Sequence, residues 1–230
     1  MSLAEWRKNK LEEHGIKYLF NFSSIDNLPS IIKNGILPKN FVSKTGIKTT
    51  SFAEESVQER RHNKIVKLSD HSQVNLHDLV PLYLTPKTPT LHARKNIQSE
   101  IFFLVISIAL IYDEKNNFCF TDGNAASEST VFFRNLKDLS ALPTEVINAE
   151  YWSDFDDGKR KRCTEFLVYP RVDIKYIIQF VVIDDDTRST CSNIMKQLNC
   201  DIPMSINTDF FFTDNFGYDK IDFNQIKKFC

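Results

Sequence analysis

The apolar run at residues 101–112, interrupted only by Ser107, constrains the fold of this chain more than any other stretch. It is too short to span a bilayer, which requires about 20 residues. It reads as a buried strand, so the rest of the chain has to supply elements that cover it. At 230 residues and 42% hydrophobic content the chain has enough apolar material for one continuous core. No interdomain linker, repeat or low-complexity tract divides it, and a single domain over residues 1–230 is expected.

Charge and cysteine usage narrow the setting. The formal net charge is -1, so no global positive field draws the protein onto a polyanion, and any nucleic-acid site must be a local patch. Five cysteines, Cys119, Cys163, Cys191, Cys200 and Cys230, form no CxxC pair and no regular framework. Free thiols in a reducing cytosol fit that pattern. The start of the chain, Met1 to Lys8, places charges where a signal peptide needs an apolar stretch. A cytoplasmic protein with no membrane partner is expected.

The remaining patterns give strands and helices in mixed order. Tyr18 to Phe22 reads as a short strand. It runs into a helix with Pro29 in its first turn and Gly35 and Pro38 at its end. Residues 43–51 are a loop candidate. Residues 54–64 place Glu54 and Glu55 early and Arg60, Arg61 and Lys64 late, which suits the dipole of a short polar helix. Strands are expected at 79–84, 118–120, 176–183 and 204–212, and helices near 130–139, 144–152 and 187–198. The two prolines within residues 85–90 cannot donate to a ladder and predict a rigid surface loop. Without a strict βαβ rhythm, an α+β fold is favoured over a doubly wound one.

Several chemistries lack their marks. The histidines form no HExxH or comparable ligand spacing, and no cysteine pair completes a zinc site. GxGxxG, GxxxxGK[ST] and GxSxG are also absent. The informative stretch is Gly158 to Pro170, where the bases Lys159, Arg160, Lys161 and Arg162 precede Glu165 at the mouth of Phe166-Leu167-Val168-Tyr169. A carboxylate there can face a cleft while its apolar neighbours anchor it, which suits stabilisation of an oxocarbenium-like transition state. It can equally be a strand-edge acid neutralising the basic run. The bases can meet phosphates or simply be solvated. Arg61 on its polar helix can clamp a pyrophosphate or pair locally, and Tyr83 can stack on a ring or pack in the core. Thr121-Asp122-Gly123-Asn124 is chiefly a turn.

Taken in order, these blocks resemble the DarT family of DNA ADP-ribosyltransferase toxins. Phe20-Asn21-Phe22-Ser23-Ser24-Ile25-Asp26-Asn27-Leu28 is similar to the family's opening motif. Val57-Gln58-Glu59-Arg60-Arg61 is similar to its glutamine-to-arginine helix, Val80-Pro81-Leu82-Tyr83 to its Val-Pro-aromatic-Tyr strand, and Phe120 to Ala125 to its Phe-Thr-Asp turn. Ala149-Glu150-Tyr151-Trp152 and Thr164 to Tyr169 complete the set. The resemblance implies an ADP-ribosyltransferase fold with split sheets around a cleft for NAD+, which is a substrate, and no metal.

On the same ground Glu165 would be catalytic together with Arg61. Asn21, Ser23, Asn27, Arg61 and Tyr83 would bind the dinucleotide. Lys87, Thr121, Asn124, Lys159, Arg160, Lys161 and Arg162 would meet single-stranded DNA, the acceptor being a guanine or thymine base. The partner would be an ADP-ribosyl hydrolase antitoxin of macrodomain type, and the enzyme itself a monomer. The same fold acting on RNA or protein, or a binding module without catalysis, are the competing readings. Two positions depart from the family: its first-strand His is Asn21 with Ser23 for the following Thr, and its Arg-Ser-Pro-Met segment is Lys87-Thr88-Pro89-Thr90. The second borders the site, so it bears on which base is recognised.

Overall fold

The apolar run that dominates the sequence is a strand only as far as Ser107. The Ser107 hydroxyl accepts the Ala109 N–H at 3.2 Å, and this local bond turns the chain into a one-turn helix where the sequence suggests a longer strand. The computed structural model describes residues 1–52 and 55–213. In chain order its elements are α1 (Leu3–Glu13), β1 (Tyr18–Ser24), α2 (Leu28–Asn34), α3 (Lys39–Thr45), α4 (Glu55–His62), β2 (Ile65–Lys67), β3 (Gln73–Asn75), β4 (Val80–Tyr83), α5 (Pro89–His92), β5 (Ile101–Ser107), α6 (Ala109–Tyr112), β6 (Asn117–Thr121), β7 (Phe132–Phe133), α7 (Thr144–Asn148), α8 (Gly158–Lys161), β8 (Glu165–Tyr169), β9 (Ile177–Val182), α9 (Asp185–Gln197) and β10 (Met204–Ile206). Glu54, at the start of the expected polar helix, lies outside the described residues.

Eight strands form one mixed sheet in the order β10-β9-β5-β1-β4-β8-β6-β7, and β2 pairs with β3 in a separate hairpin. Only β10 and β9 run parallel; the other neighbours are antiparallel. The sheet is unevenly knit. β1 pairs with β5 over its whole length, whereas β1 and β4 meet at the single pair Phe20↔Tyr83. The split expected from the resemblance thus takes the form of two half-sheets joined at one point. Beyond that point the strands diverge and a cleft opens.

Both faces of the sheet are covered, which explains why β5 is apolar throughout instead of alternating. Its even-numbered residues Phe102, Leu104 and Ile106 join a cluster with Leu11 of α1, Leu28 and Ile31 of α2, and Cys191 and Met195 of α9. Its odd-numbered residues Ile101, Phe103 and Val105 point to the other side, against Leu91, Phe210 and Phe211. Each of these six β5 side chains is fully buried, worth roughly 1.5–3 kcal/mol apiece in apolar transfer. This frame fixes the strands that carry the site.

Elsewhere the sequence reading needs correction. The supposed surface loop at 85–90 is buried: Thr88 is 0% exposed, and its hydroxyl accepts the Leu91 N–H to start α5. The helix expected near 130–139 is instead β7 followed by a 3-10 turn at Leu136–Ala141, because Phe132 and Phe133 pair with β6. The strand expected at 204–212 ends at Ile206, where Asn207 accepts the Asp209 N–H and starts a 3-10 turn. The loop at 43–51 begins inside α3, and helix 144–152 is shortened to α7.

Candidate active site

The divergence of β1 and β4 leaves a cleft of about 410 Å³ whose lining includes Asn21, Ser23, Asn27, Arg61 and Tyr83. All five residues expected to bind a dinucleotide are therefore brought to the lining of one cleft, although they come from three separate stretches of chain. Their polar groups are held in place by neighbours. Asn21 Nδ2 donates to Pro81 O at 2.9 Å, bridging the gap between β1 and β4. Asn27 Nδ2 donates to Ser23 Oγ at 3.0 Å and to Thr50 O at 2.8 Å, while its Oδ1 accepts the Thr50 N–H at 2.8 Å. The Tyr83 ring stacks on Phe22, centroids 6.2 Å apart and planes 13° from parallel. Burial first, and then the nearby Glu165 charge, push the Tyr83 hydroxyl well above its ordinary value, so it is a hydrogen-bonding group and not a base at neutral pH.

Glu165 opens β8 directly across from Tyr83 in the β4–β8 register, and it is 2% exposed. It is not part of the cleft lining; Arg61 stands between them, since it lines the cleft and reaches the carboxylate. Arg61 Nη1 contacts Oε1 at 3.3 Å and Oε2 at 3.2 Å. The Ala125 N–H adds a bond to Oε1 at 3.1 Å. The Glu165 backbone is fixed as well, because its N–H donates to Thr121 Oγ1 at 3.0 Å. A carboxylate offers about four acceptor sites, and one nitrogen shared between two oxygens at these lengths is a weak version of the usual forked pair. Glu165 is thus fixed in its backbone and more weakly held at its head group.

The residues expected to meet nucleic acid divide sharply. Thr121 is fully buried, and its hydroxyl also donates to Gly123 O at 2.6 Å, so it supports Glu165 and does not face a ligand. Arg162 is 5% exposed; it donates to Lys87 O, Val146 O, Ile147 O and Ala149 O at 2.7–2.8 Å. Arg160 pairs with Asp122 and Asp157. Loop carbonyls and acids claim the guanidinium groups of Arg160 and Arg162, so phosphate contact by either would require breaking bonds the fold already makes. Asn124 serves mainly as the hub of the turn: Oδ1 accepts the Ala126 N–H at 2.9 Å and its N–H donates to Arg160 O at 3.0 Å. Gly123 allows this closeness, since a Cβ there would come within 2.9 Å of Arg160 O. Lys161 donates to Asp156 O at 2.9 Å. Lys159 is exposed and Lys87 half-buried.

Two features escaped the sequence reading. His77 is 4% exposed, lines the cleft, and has no hydrogen-bond partner for Nε2 among the described residues. Burial, reinforced by Lys39 and Arg61, pushes its imidazole down to about 4, so it is neutral at pH 7. The Asn75–Asp78 capping box that seats it was the available signal. The other is Lys64, whose ammonium donates to Ala125 O at 2.9 Å and to Ser127 O, clamping the turn that holds Glu165. Among the described residues no group of three or more His, Cys, Asp or Glu side chains is placed to hold a metal ion. No described helix is long and apolar enough to cross a membrane.

Comparison with known proteins places this geometry. A DNA ADP-ribosyl transferase of Thermus sp. (strain 2.9) is 31% identical over 186 residues, covering 78% of this chain and 87% of that protein. A DNA ADP-ribosyl transferase–DNA ADP-ribosyl glycohydrolase fusion protein of Thermosipho africanus is 30% identical over 202 residues, 86% of this chain and 50% of the fusion. Thermus sp. 2.9 DarT solved with ADP-ribosylated ssDNA superposes with a TM-score of 0.77 at 29% identity, covering 86% of this chain and 97% of that one. Solved with carba-NAD+, it superposes with a TM-score of 0.72. The family model described as ssDNA thymidine ADP-ribosyltransferase, DarT, matches residues 20–212, and the chain belongs to that family.

Proposed function

We propose that this chain transfers ADP-ribose from NAD+ to a thymine base of single-stranded DNA, with Glu165 as the catalytic carboxylate. The observation that carries the reading is the Glu165 head group, buried beside the cleft and held, among the described residues, by Arg61 and one peptide N–H. NAD+ supplies an activated glycosidic bond whose cleavage releases nicotinamide. Glu165 accepts a hydrogen bond from a ribose hydroxyl and opposes the positive charge that develops on the sugar. Arg61, relieved of part of its carboxylate, keeps a guanidinium at the cleft wall for anionic or polar groups of either substrate. The stacked Tyr83–Phe22 pair offers an aromatic surface to a flat ring. Asn21, Ser23 and Asn27 add polar groups to the same cleft lining, and the amides of Asn21 and Asn27 are already fixed by internal bonds and so require little ordering on binding.

The family description names thymidine as the acceptor, and chemistry on a base edge requires a base outside the duplex stack. The Thermus relative bound to ADP-ribosylated ssDNA supports single-stranded DNA as the acceptor. The transferase–glycohydrolase fusion in Thermosipho africanus supports an ADP-ribosyl hydrolase as partner. The test is mass spectrometry of oligonucleotides that contain thymine or guanine as the sole reactive candidate, treated with protein and NAD+. An added ADP-ribose on the thymine strand, lost in Glu165→Ala, is expected. Modification of the guanine strand alone overturns the base assignment, and modification that survives Glu165→Ala overturns the role of Glu165.

A further inference from the structure

We propose that Thr130 is a positioning residue of the transfer reaction, linking the Arg160 loop to the Glu165 carboxylate through a single peptide group; this rests on the reading of Glu165 as the catalytic acid. The peptide between Asn124 and Ala125 is engaged at both ends. Its N–H donates to Glu165 Oε1 at 3.1 Å. Its oxygen accepts the Thr130 hydroxyl at 2.7 Å and the Ser127 N–H at 2.9 Å. Because the peptide is conjugated, drawing electron density to its oxygen makes its N–H a better donor. Thr130 therefore strengthens and aims the only neutral bond that the Glu165 head group receives among the described residues.

Thr130 is itself directed. The residue is 8% exposed, and its hydroxyl oxygen accepts Arg160 Nη1 at 3.1 Å. A hydroxyl has one hydrogen to give, and a cation on its lone pairs points that hydrogen toward the Asn124 carbonyl. Arg160 in turn is anchored by Asp122 at 2.8 Å and by Asp157. Arg160 belongs to the loop that carries the basic run Lys159 to Arg162, and Asp157 lies just before that run. A change in that loop thus reaches Glu165 through Arg160, Thr130 and one peptide, without the loop side chains touching the carboxylate. Lys64 holds the next carbonyl, Ala125 O, independently, so the turn has a second support when Thr130 is altered.

Thr130→Val keeps the shape and removes the donor. With a thymine-containing oligonucleotide and NAD+, kcat is expected to fall roughly five- to twentyfold, with KM for both substrates within about twofold of wild type. Thr130→Ser is expected to restore kcat. Arg160→Lys, which keeps the charge and loses Nη1, is expected to lower kcat as well, and it carries the test if Thr130→Val does not fold. Wild-type kcat in a folded Thr130→Val, a loss confined to KM, or failure of Thr130→Ser to restore the rate each overturns the proposal. Glu165→Gln is measured alongside. If Glu165→Gln transfers like wild type, the underlying reading of Glu165 fails; if it is inactive while Thr130→Val has wild-type kcat, the role of Thr130 alone fails.

Discussion

Two arginines in this molecule are equally removed from water and used in opposite ways. Arg162, 5% exposed, spends its guanidinium on four backbone carbonyls at 2.7–2.8 Å. Arg61, 8% exposed, meets Glu165 through one nitrogen at 3.2–3.3 Å and borders an open cleft. The first is saturated and short-bonded, as a structural cation must be when its loss would strand buried carbonyls. The second is long-bonded and exchangeable, as a group must be if its partner is to turn to a substrate. Burial alone therefore does not distinguish support from chemistry; the length and number of the bonds does.

The largest effect that contrast predicts is at Glu165. Glu165→Gln keeps acceptors for Arg61 and Ala125 N–H but loses the charge. Transfer is expected to drop by about 10³-fold or more, with unfolding free energy changed by less than about 1 kcal/mol; a denaturant titration and a single-turnover assay check both halves. Arg162→Ala should behave the other way. Stability is expected to fall by about 3 kcal/mol through the carbonyls left without donors, and kcat per folded molecule should hold; a large kcat loss at unchanged stability would erase the distinction between the two arginines.

His77 sharpens the comparison by pH. Its imidazole is held down to about 4 in the folded protein against about 6.5 when unfolded. Below the unfolded value the unfolded chain takes up a proton that the folded one refuses. The stability His77 contributes is therefore complete above pH 6.5 and is lost as pH falls toward 4. His77→Gln is expected to flatten that part of a melting-temperature profile, and an unchanged slope would remove His77 as its cause. The smallest effect belongs to Lys159, exposed on the same basic run as Arg162. Lys159→Ala should leave stability within about 0.5 kcal/mol and reduce the salt dependence of DNA binding by roughly one phosphate contact; an unaltered salt slope would show Lys159 to be merely solvated.

Much of the site was legible in the chain. The resemblance to the DarT motif blocks points to Asn21, Ser23, Asn27, Arg61 and Tyr83, and all five line the cleft. The basic run was the misleading signal. Lys159 to Arg162 look alike on paper, yet Arg160 and Arg162 are consumed by carboxylates and carbonyls from residues 87, 122 and 146–149, partners too remote in sequence to be anticipated. Thr121 was misjudged for the same reason, since its buried hydroxyl serves a backbone N–H 44 residues on.

What the sequence determined by itself were the features set by nearest neighbours: the apolar length of β5, the prolines and glycines that end α2, and the motif blocks that name the family. What only the tertiary structure decided was the single-pair junction between β1 and β4 that opens the cleft, and which cations were left to act in it. The physical reason is that a hydrogen bond is allotted by distance in space. Every buried carbonyl and carboxylate takes the donor that folding brings to it, and the groups available for chemistry are those the fold leaves incompletely bonded.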